Sequence, residues 1–396
     1  MDGWDIFLVA FVAAAALVTA IAVIATDLPR GLQPTSVSEI AGANVTAAST
    51  SNATRAAVPP ALGQSFSSNF IYCVGDSGYG AENLSFYAPI SGSGIGNWTQ
   101  TTSYPVGVDD AGCAIYKGRI YCVGTNATDG YDVNYANISG AGIGEWAATT
   151  SYPVPGWYTG CSIYGGYIYC IGDRWLGQYV TATHNLSVTD RAYGPGEKLA
   201  YYAQITANGV GNWTQTTSYP IPLYTTGCAI YEGYVYCVGA YNASYQNRTY
   251  YAQVSASGIG KWTQTTSYPR PFTFGGCQIY EGRIYCEGGD SNLTYYANVS
   301  GSGIGNWIGG TSLPVKMLYE GGCTIQSGYA YCVGNRWGGA AGHQVFFANV
   351  LADGGFGAWM PSTPFPIPLY GDSWCVTPGS GGGFLSGGGE LPVQER

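Results

Sequence analysis

The chain has 396 residues, of which 46% are hydrophobic and 15% aromatic, while only 9% are charged. This apolar fraction excludes a globally disordered chain, and the length suffices for one large or two modest domains. A net charge of −9 without any Lys/Arg cluster argues against nucleic acid or anionic lipid as a partner. The 61 glycines and 35 tyrosines indicate many tight turns between aromatic-rich strands, and therefore predict an all-β fold.

The N-terminal residues 1–30 predict a transmembrane anchor or a signal segment. Ile6 to Ala25 contains no charged residue and would span about 30 Å as a helix. A cleaved signal peptide usually begins with a basic region, whereas this chain begins with Asp2 and Asp5. We therefore expect a single-pass membrane helix with the rest of the protein outside the cell. Cleavage after Ala25, which would give a secreted protein, stays open as an alternative.

Two low-complexity segments flank the central part of the chain. Residues 31–66 are rich in Ala, Ser, Thr and Pro and show no periodicity, which predicts a stalk. Residues 379–396 are rich in Gly and are expected to form a flexible tail. The folded domain is therefore predicted to cover residues 67–378.

The central part of the chain repeats itself. One unit contains a strand a at Cys113–Tyr116, a strand b at Arg119–Val123, a strand c at Tyr135–Ser139 and a strand d around Trp146. Four short strands in about 45 to 50 residues are typical of a propeller blade. The tryptophan of strand d recurs six times, which predicts six blades: Trp98, Trp146, Trp213, Trp262, Trp307 and Trp359.

These units resemble kelch repeats. The resemblance rests on an a–b hairpin that ends in Ile-Tyr-x-Val-Gly, on the Tyr of strand c, and on the Trp of strand d that a Pro follows. The glycine doublet of the family is mostly reduced to one residue, as at Gly124, and survives as Gly288-Gly289. The resemblance covers roughly residues 69 to 377. It implies a six-bladed kelch-like β-propeller in which a C-terminal strand completes the first blade, and it implies little about function.

Five cysteine pairs share one spacing, and each straddles a two-residue turn that ends in Gly and suits type I′. In that register the cysteines oppose each other at a non-hydrogen-bonded position, where a disulfide fits. A metal site is the alternative, but the chain has no Cys-x-x-Cys and only two histidines, His184 and His343. We therefore predict disulfides, an oxidising location outside the cytoplasm, and no cofactor. The pairs are Cys113–Cys122, Cys161–Cys170, Cys228–Cys237, Cys277–Cys286 and Cys323–Cys332.

The two remaining cysteines lie at opposite ends of the repeat region. Cys73 belongs to a strand b without a preceding strand a, and Cys375 belongs to a strand a without a following strand b. Joined, they complete one blade in the ring closure that the kelch resemblance implies. A disulfide between them would close a loop of about 300 residues and stabilise the fold by at least about 4 kcal/mol in the chain-entropy model.

Twelve Asn-x-Ser/Thr sequons would supply, as glycans, the solubility that so few charges cannot. The sequons in the stalk and in the variable b–c loops are predicted to carry them, because loops accommodate glycans best. They are Asn44, Asn52, Asn83, Asn126, Asn185, Asn242, Asn247 and Asn292. Asn97, Asn137, Asn212 and Asn298, assigned to strands c or d, are weaker candidates.

The d–a loops are the candidate ligand-binding surface, because in propellers of this type they converge at the mouth of the central channel. Most combine Pro with aromatic or charged residues, which suits stacking on a sugar ring or gripping a protein loop. The alternative is that these side chains fill the channel or pack between blades. The candidates are Asp110, Trp157, Tyr158, Tyr224, Arg270, Phe274, Tyr319, Glu320, Tyr370 and Asp372.

The sequence favours a cell-surface binding or adhesion module whose partner is an extracellular protein or a glycan, with the membrane contacted through the N-terminal helix. A structural component of the cell envelope is the alternative. A propeller enzyme that acts on sugars is less favoured, because the sequence contains no recognisable catalytic constellation.

Overall fold

The structure is a computed structural model that describes residues 69–75, 83–108, 112–124, 131–154, 160–173, 197–222, 227–241, 244–272, 275–289, 291–316, 322–334, 342–369, 374–378 and 385–386. The predicted anchor and stalk lie outside these residues. Within them the fold is all-β, without an α-helix. No helix long and apolar enough to cross a membrane occurs in this part of the chain.

The described strands form six sheets, the blades of a propeller, and strands a to d of each blade are antiparallel. Strands a to d of blade 1 are Trp374–Val376, Phe70–Val74, Ser85–Ser91 and Thr99–Gln100, and those of blade 2 are Gly112–Tyr116, Arg119–Val123, Val133–Ser139 and Ala147–Ala148. Blade 3 has Gly160–Tyr164, Tyr167–Asp173, Glu197–Thr206 and Thr214–Gln215, and blade 4 has Gly227–Tyr231, Tyr234–Tyr241, Tyr245–Ser255 and Thr263–Gln264. Blade 5 has Gly275–Tyr280, Arg283–Gly288, Thr294–Ser300 and Ile308–Gly309, and blade 6 has Gly322–Gln326, Tyr329–Val333, Val345–Asn349 and Met360–Pro361.

Strand d differs from the prediction, since it begins just after the tryptophan rather than around it. In blades 1 to 5 an additional two-residue strand pairs with the end of strand c and forms a tight c–d turn. These strands are Gly94–Ile95, Gly142–Ile143, Gly209–Val210, Gly258–Ile259 and Gly303–Ile304. The glycine that begins each of them has φ between 101° and 112°, a conformation that disfavours other residues.

Strands a line the centre of the ring, where those of neighbouring blades contact one another. A short strand from the tail, Leu385–Ser386, pairs in parallel with Cys228 and Ala229 of strand a in blade 4. It also contacts strands a of blades 2, 3 and 5 and therefore lies inside the ring of inner strands.

The a–b hairpins have the predicted turn and register. Lys117 (φ 46°) and Gly118 (φ 72°) both lie in the left-handed region that a type I′ turn requires. Cys113 then opposes Cys122 with 4.1 Å between their Cα atoms. The other four hairpins repeat this arrangement, and the structure contains the disulfides Cys161–Cys170, Cys228–Cys237, Cys277–Cys286 and Cys323–Cys332.

The C-terminal strand a closes the ring by pairing with strand b of blade 1. Cys73 opposes Cys375 in this pair and forms a disulfide with it across 302 residues of sequence. No described cysteine is free. Because strand b starts, and strand a ends, at the a–b turn, Asn69 and Pro378 both lie on the face of the a–b turns.

The hydrophobic core consists of six layers between consecutive blades, which we call seams and number by their two blades. Side chains alternate along strands a and b, so that each disulfide packs against the preceding blade. In seam 4/5, for example, Val238 of blade 4 packs with Cys277 and Cys286 of blade 5. In seams 1/2 to 4/5 a tyrosine that follows strand d fills the end of the seam next to the d–a loops. It packs edge-on against the tryptophan of the next blade, as Tyr268 does against Trp307.

Candidate functional site

The d–a and b–c loops meet on one face of the propeller, opposite the a–b turns. The residue that fills each seam after strand d donates its backbone N–H to a carbonyl just before, or at the start of, strand c of the same blade. Tyr104 donates to Asn83 at 2.7 Å and Tyr268 to Asn247 at 2.8 Å. All six blades make this bond, including Leu313 to Asn292 in blade 5 and Phe365 to His343 in blade 6. Both loop sets are thereby tied to one rigid base, which we call the loop face.

Of the ten predicted ligand contacts, the structure describes Arg270. This residue is half-buried at the start of the d–a segment of blade 4. The others lie outside the described residues, namely Asp110, Trp157, Tyr158, Tyr224, Phe274, Tyr319, Glu320, Tyr370 and Asp372.

Apolar side chains in the described parts of the d–a segments serve packing. Val108, Phe272 and Leu369 are each 2% exposed or less. Phe272 lies so close to the backbone of Gly239 and Gly275 that neither glycine has room for a Cβ atom. At these three positions the structure supports the alternative considered above, in which loop side chains pack between blades.

Arg270 lies beside a buried group of polar side chains at the loop end of blade 5. Burial raises the pKa of Tyr268 well above its usual value, and the charge of Glu287 and the nearby Tyr295 raise it further. Arg270 acts in the opposite direction and lowers the same pKa. The Tyr268 hydroxyl is therefore a neutral hydrogen-bond donor at every physiological pH, and the Cys286 carbonyl lies 3.5 Å away.

Glu287 is the most unusual residue of this group. It is 1% exposed, and burial raises the pKa of its carboxyl group well above 4.5. The Gln278 side chain hydrogen-bonds to its Oε1 atom, whereas Glu287 Oε2 and Gln278 Oε1 have no partner among the described residues. Sequence reasoning missed this carboxyl group. Aligning the repeats on the second cysteine of each blade would have found it, because the next residue in the other blades is Val74, Val123, Ile171, Val238 or Val333.

The described sequons occupy two different environments. Asn247 and Asn292 are half-buried, and their Nδ2 atoms donate hydrogen bonds to the carbonyls of Tyr268 and Leu313, both at 3.1 Å. Asn83 is also half-buried. The four weaker candidates are all exposed, and Asn97 and Asn212 precede strand d rather than belonging to it. Asn44, Asn52, Asn126, Asn185 and Asn242 lie outside the described residues.

Of the two histidines weighed above as metal ligands, the structure describes His343. His343 bonds through Nδ1 with the Phe365 carbonyl at 2.6 Å, which fixes the d–a segment of blade 6. His184 lies outside the described residues. Within those residues no group of three or more His, Cys, Asp or Glu side chains could hold a metal ion.

The fold and the disulfides define the class of protein, a six-bladed β-propeller with one disulfide within each blade, and six disulfides favour an extracellular or secreted location. No protein-family model and no curated protein matches the chain. Among solved structures, the one titled "Structure of YjhT" is similar, with a TM-score of 0.58 and 13% sequence identity. The match covers 74% of this chain and 94% of that chain. At this level of identity the similarity shows the fold alone.

Proposed function

We propose that this protein is an extracellular recognition module that binds a glycan or a protein on its loop face. The observation that carries the proposal is that every blade ties its d–a segment to the base of its b–c loop by the same backbone hydrogen bond. Twelve segments of variable sequence are thereby presented on one face. A rigid base lowers the entropy that loops lose on binding, which is the usual advantage of presenting them on such a scaffold.

Several finer assignments belong to the same proposal. The repeats are of the kelch-like type, the sequons of the stalk and of the b–c loops carry glycans, and residues 1–30 anchor the protein in the membrane. The proposal assigns no catalytic step to the loop face. A structural role in the cell envelope would need no ligand, and the experiment below separates it from recognition.

A binding screen on the full-length protein tests the function. We expect the protein to bind specific oligosaccharides on a glycan array, or a defined extracellular protein. Arg270→Ala should weaken that binding at least about tenfold, because a hydrogen bond to a charged group contributes roughly 1.5–3 kcal/mol. Lys261→Ala is the matched control, because it removes one positive charge from the exposed position before Trp262 and strand d. Trp157→Ala tests the aromatic part of the proposal. Binding that survives all loop-face variants, or no binding at all, would rule out the proposed site.

A further inference from the structure

Five of the six seams share a cross-blade double hydrogen bond from the segment that follows strand d. Thr101 Oγ1 accepts the N–H of Ile143 at 2.8 Å and donates to the carbonyl of the same residue at 3.0 Å. A hydroxyl residue in this position therefore fixes the c–d turn of the next blade. The same double bond joins Thr149 to Val210, Thr216 to Ile259, Thr265 to Ile304 and Ser362 to Ile95.

A second cross-blade bond starts from the third residue of strand b. In seam 1/2 the Tyr72 hydroxyl donates to the carbonyl of Ser139 in the next blade at 2.8 Å. In seam 2/3 the guanidinium of Arg119 takes over this role and donates to Ala207 at 2.7 Å. Tyrosine hydroxyls make the bond in three more seams: Tyr169 to Ser255, Tyr236 to Ser300 and Tyr331 to Ser91.

Seam 5/6 has neither arrangement in the described structure. Gly310 stands where the other seams have Thr or Ser, so the double bond to the c–d turn of blade 6 cannot form. The Tyr285 hydroxyl is buried but makes no hydrogen bond to blade 6. Burial raises its pKa to about 12, and Arg283 in the same strand offsets this rise only in part. Leu313 replaces the aromatic residue that fills the other seams and loses its ring contact with Trp359.

Two hydrogen bonds hold this seam at its outer side. Thr311 donates its hydroxyl to the Phe356 carbonyl at 2.5 Å, and the indole of Trp359 donates to Thr311 at 2.9 Å. The indole bond recurs in every seam, and the hydroxyl bond recurs in seams 1/2, 2/3, 3/4 and 6/1. Tyr285 also packs on the ring of Phe356 in blade 6, with 5.1 Å between the ring centroids. Seam 5/6 therefore keeps these contacts and lacks the double bond to the c–d turn and the tyrosine bond of the other seams.

The same seam contains the buried carboxyl group. Tyr285 packs against Ile325 and Ala330 of blade 6, and Glu287, two residues further along strand b, points to the same side. In seam 4/5 the equivalent side chain, Val238, packs on the disulfide of the next blade. Glu287 accordingly occupies the place in seam 5/6 that adjoins Cys323–Cys332. Cys323 is 7% exposed, whereas every other cysteine is 2% exposed or less.

The described surroundings of Glu287 contain little that could stabilise a negative charge. Gln278, from the same blade, is neutral, and Tyr268, from the d–a segment of blade 4, is a neutral phenol next to Arg270 and Tyr295. From blade 6, the disulfide that faces Glu287 does not titrate. Burial is the main cause of the raised pKa of Glu287, and the bond from Gln278 offsets it only in part. An ionised Glu287 is thus poorly accommodated until water reaches it.

We propose that seam 5/6 is the point at which the ring opens, and that the protonation state of Glu287 controls this opening. With a neutral carboxyl group the seam stays closed. When the group ionises as the pH rises, separation of blades 5 and 6 admits water to the carboxylate and to the adjoining disulfide. The seam is therefore tightest in acid and loosens toward alkaline pH. This property goes beyond recognition on the loop face and does not depend on it.

Site-resolved reduction of the native full-length protein tests this proposal. The protein is treated briefly with a phosphine reductant at a series of pH values from acid to alkaline, because a carboxyl group with a raised pKa ionises as the pH rises through this series. New thiols are alkylated, and peptide mass spectrometry measures the reduced fraction of each pair. The rate for Cys323–Cys332 is divided by that for Cys161–Cys170 in the same molecules, because this hairpin pair is equally short and fully buried. The ratio removes the pH dependence of the reductant itself.

We expect Cys323–Cys332 to be reduced first, and its normalised rate to rise several-fold from the lower to the higher pH. Glu287→Gln should abolish the rise with little change in shape. Glu287→Val, which installs the residue of blades 1, 2, 4 and 6, is the second variant and should also slow the reduction. The proposal is wrong if another pair, such as Cys73–Cys375, is reduced first. It is equally wrong if the ratio does not change with pH, or if it rises in Glu287→Gln as it does in the wild type.

Discussion

Tyrosine is the residue that this propeller uses most often between its blades, and its hydroxyl group determines where it can be buried. The ring fills a seam, while the hydroxyl reaches a carbonyl at the edge of the next blade, as Tyr331 does with Ser91 at 2.9 Å. Burial raises the pKa of Tyr331 to about 12. These hydroxyls therefore remain donors throughout the physiological range, and the seams that they hold should not respond to pH. Glu287 is the exception among the buried side chains.

The free energy of unfolding should depend on pH through Glu287. Its folded pKa lies above the ordinary value of 4.5, so the folded protein binds the proton more tightly than the unfolded chain does. Its contribution to stability is then complete below about pH 4.5 and declines as the pH rises through the folded pKa. Urea unfolding at a series of pH values measures this decline.

Glu287→Val combined with Gln278→Ala should flatten this decline and raise the stability at neutral pH by about 1–3 kcal/mol, because burying polar groups without a full set of hydrogen-bond partners costs roughly this much in proteins. The pair of residues introduced is the one that blade 4 has at Ala229 and Val238. Val238→Glu is the reciprocal control and should destabilise blade 4. A double variant that is less stable than the wild type at neutral pH would contradict the assignment.

At the scale of elements, strand d is only two residues long in every blade, and an outer strand of this length contributes few ladder hydrogen bonds. The segment after it is what attaches each blade to the next. In blades 1 to 4 its threonine hydroxyl bonds to the adjacent c–d turn, and its tyrosine fills the seam. Outside the hydrophobic layers, this short irregular segment, rather than the edge strand itself, therefore provides hydrogen bonds to the next blade.

Removing one such hydroxyl should weaken a single seam. Thr216→Ala deletes the bonds to the N–H and carbonyl of Ile259 at 2.7 and 3.2 Å and leaves a half-buried N–H without its partner. We expect a loss of about 1–3 kcal/mol in the free energy of unfolding, measured by urea denaturation. Thr214→Ala, on the exposed surface of strand d in the same blade, should change it by less than about 0.5 kcal/mol. Equal effects of the two variants would show that the cross-blade bond does not contribute.

At the scale of the whole molecule, the stability of a propeller depends on whether its ring is closed. Five disulfides link cysteines nine residues apart and constrain only single hairpins. The disulfide between Cys73 and Cys375 spans 302 residues and joins the first and last parts of the ring. In the chain-entropy model it contributes about 5–6 kcal/mol, compared with about 2–3 kcal/mol for a hairpin disulfide.

Paired replacement of cysteines by alanine measures this difference. Cys73→Ala with Cys375→Ala should lower the free energy of unfolding by about 2–3 kcal/mol more than Cys228→Ala with Cys237→Ala does. Both pairs are buried to the same degree, so the loss of packing largely cancels between the two variants. Equal losses would mean that closing the long loop between Cys73 and Cys375 stabilises the fold no more than a hairpin disulfide does.

The sequence by itself determined the features that repeat. The alternation of side chains, the turn glycines and the cysteine spacing all act over a few residues. Because the blades repeat one pattern, each strand and turn is assigned from several copies of it. The blade count, the type I′ hairpins, the six disulfide pairs and the closure of blade 1 were therefore predictable. Strand d was misplaced by a few residues, because a two-residue strand has no periodicity of its own.

The tertiary structure alone decided the features that depend on which side chains of neighbouring blades contact each other across a seam. The burial of Glu287 and Gln278, the missing bonds at Gly310 and Tyr285, and the packing role of Phe272 all follow from contacts between blades. A residue that differs from its counterparts in the other blades can be exposed or buried, and local sequence does not distinguish these cases. The free energy of burying a carboxyl group depends on partners contributed by distant parts of the chain, and only the closed ring brings those partners together.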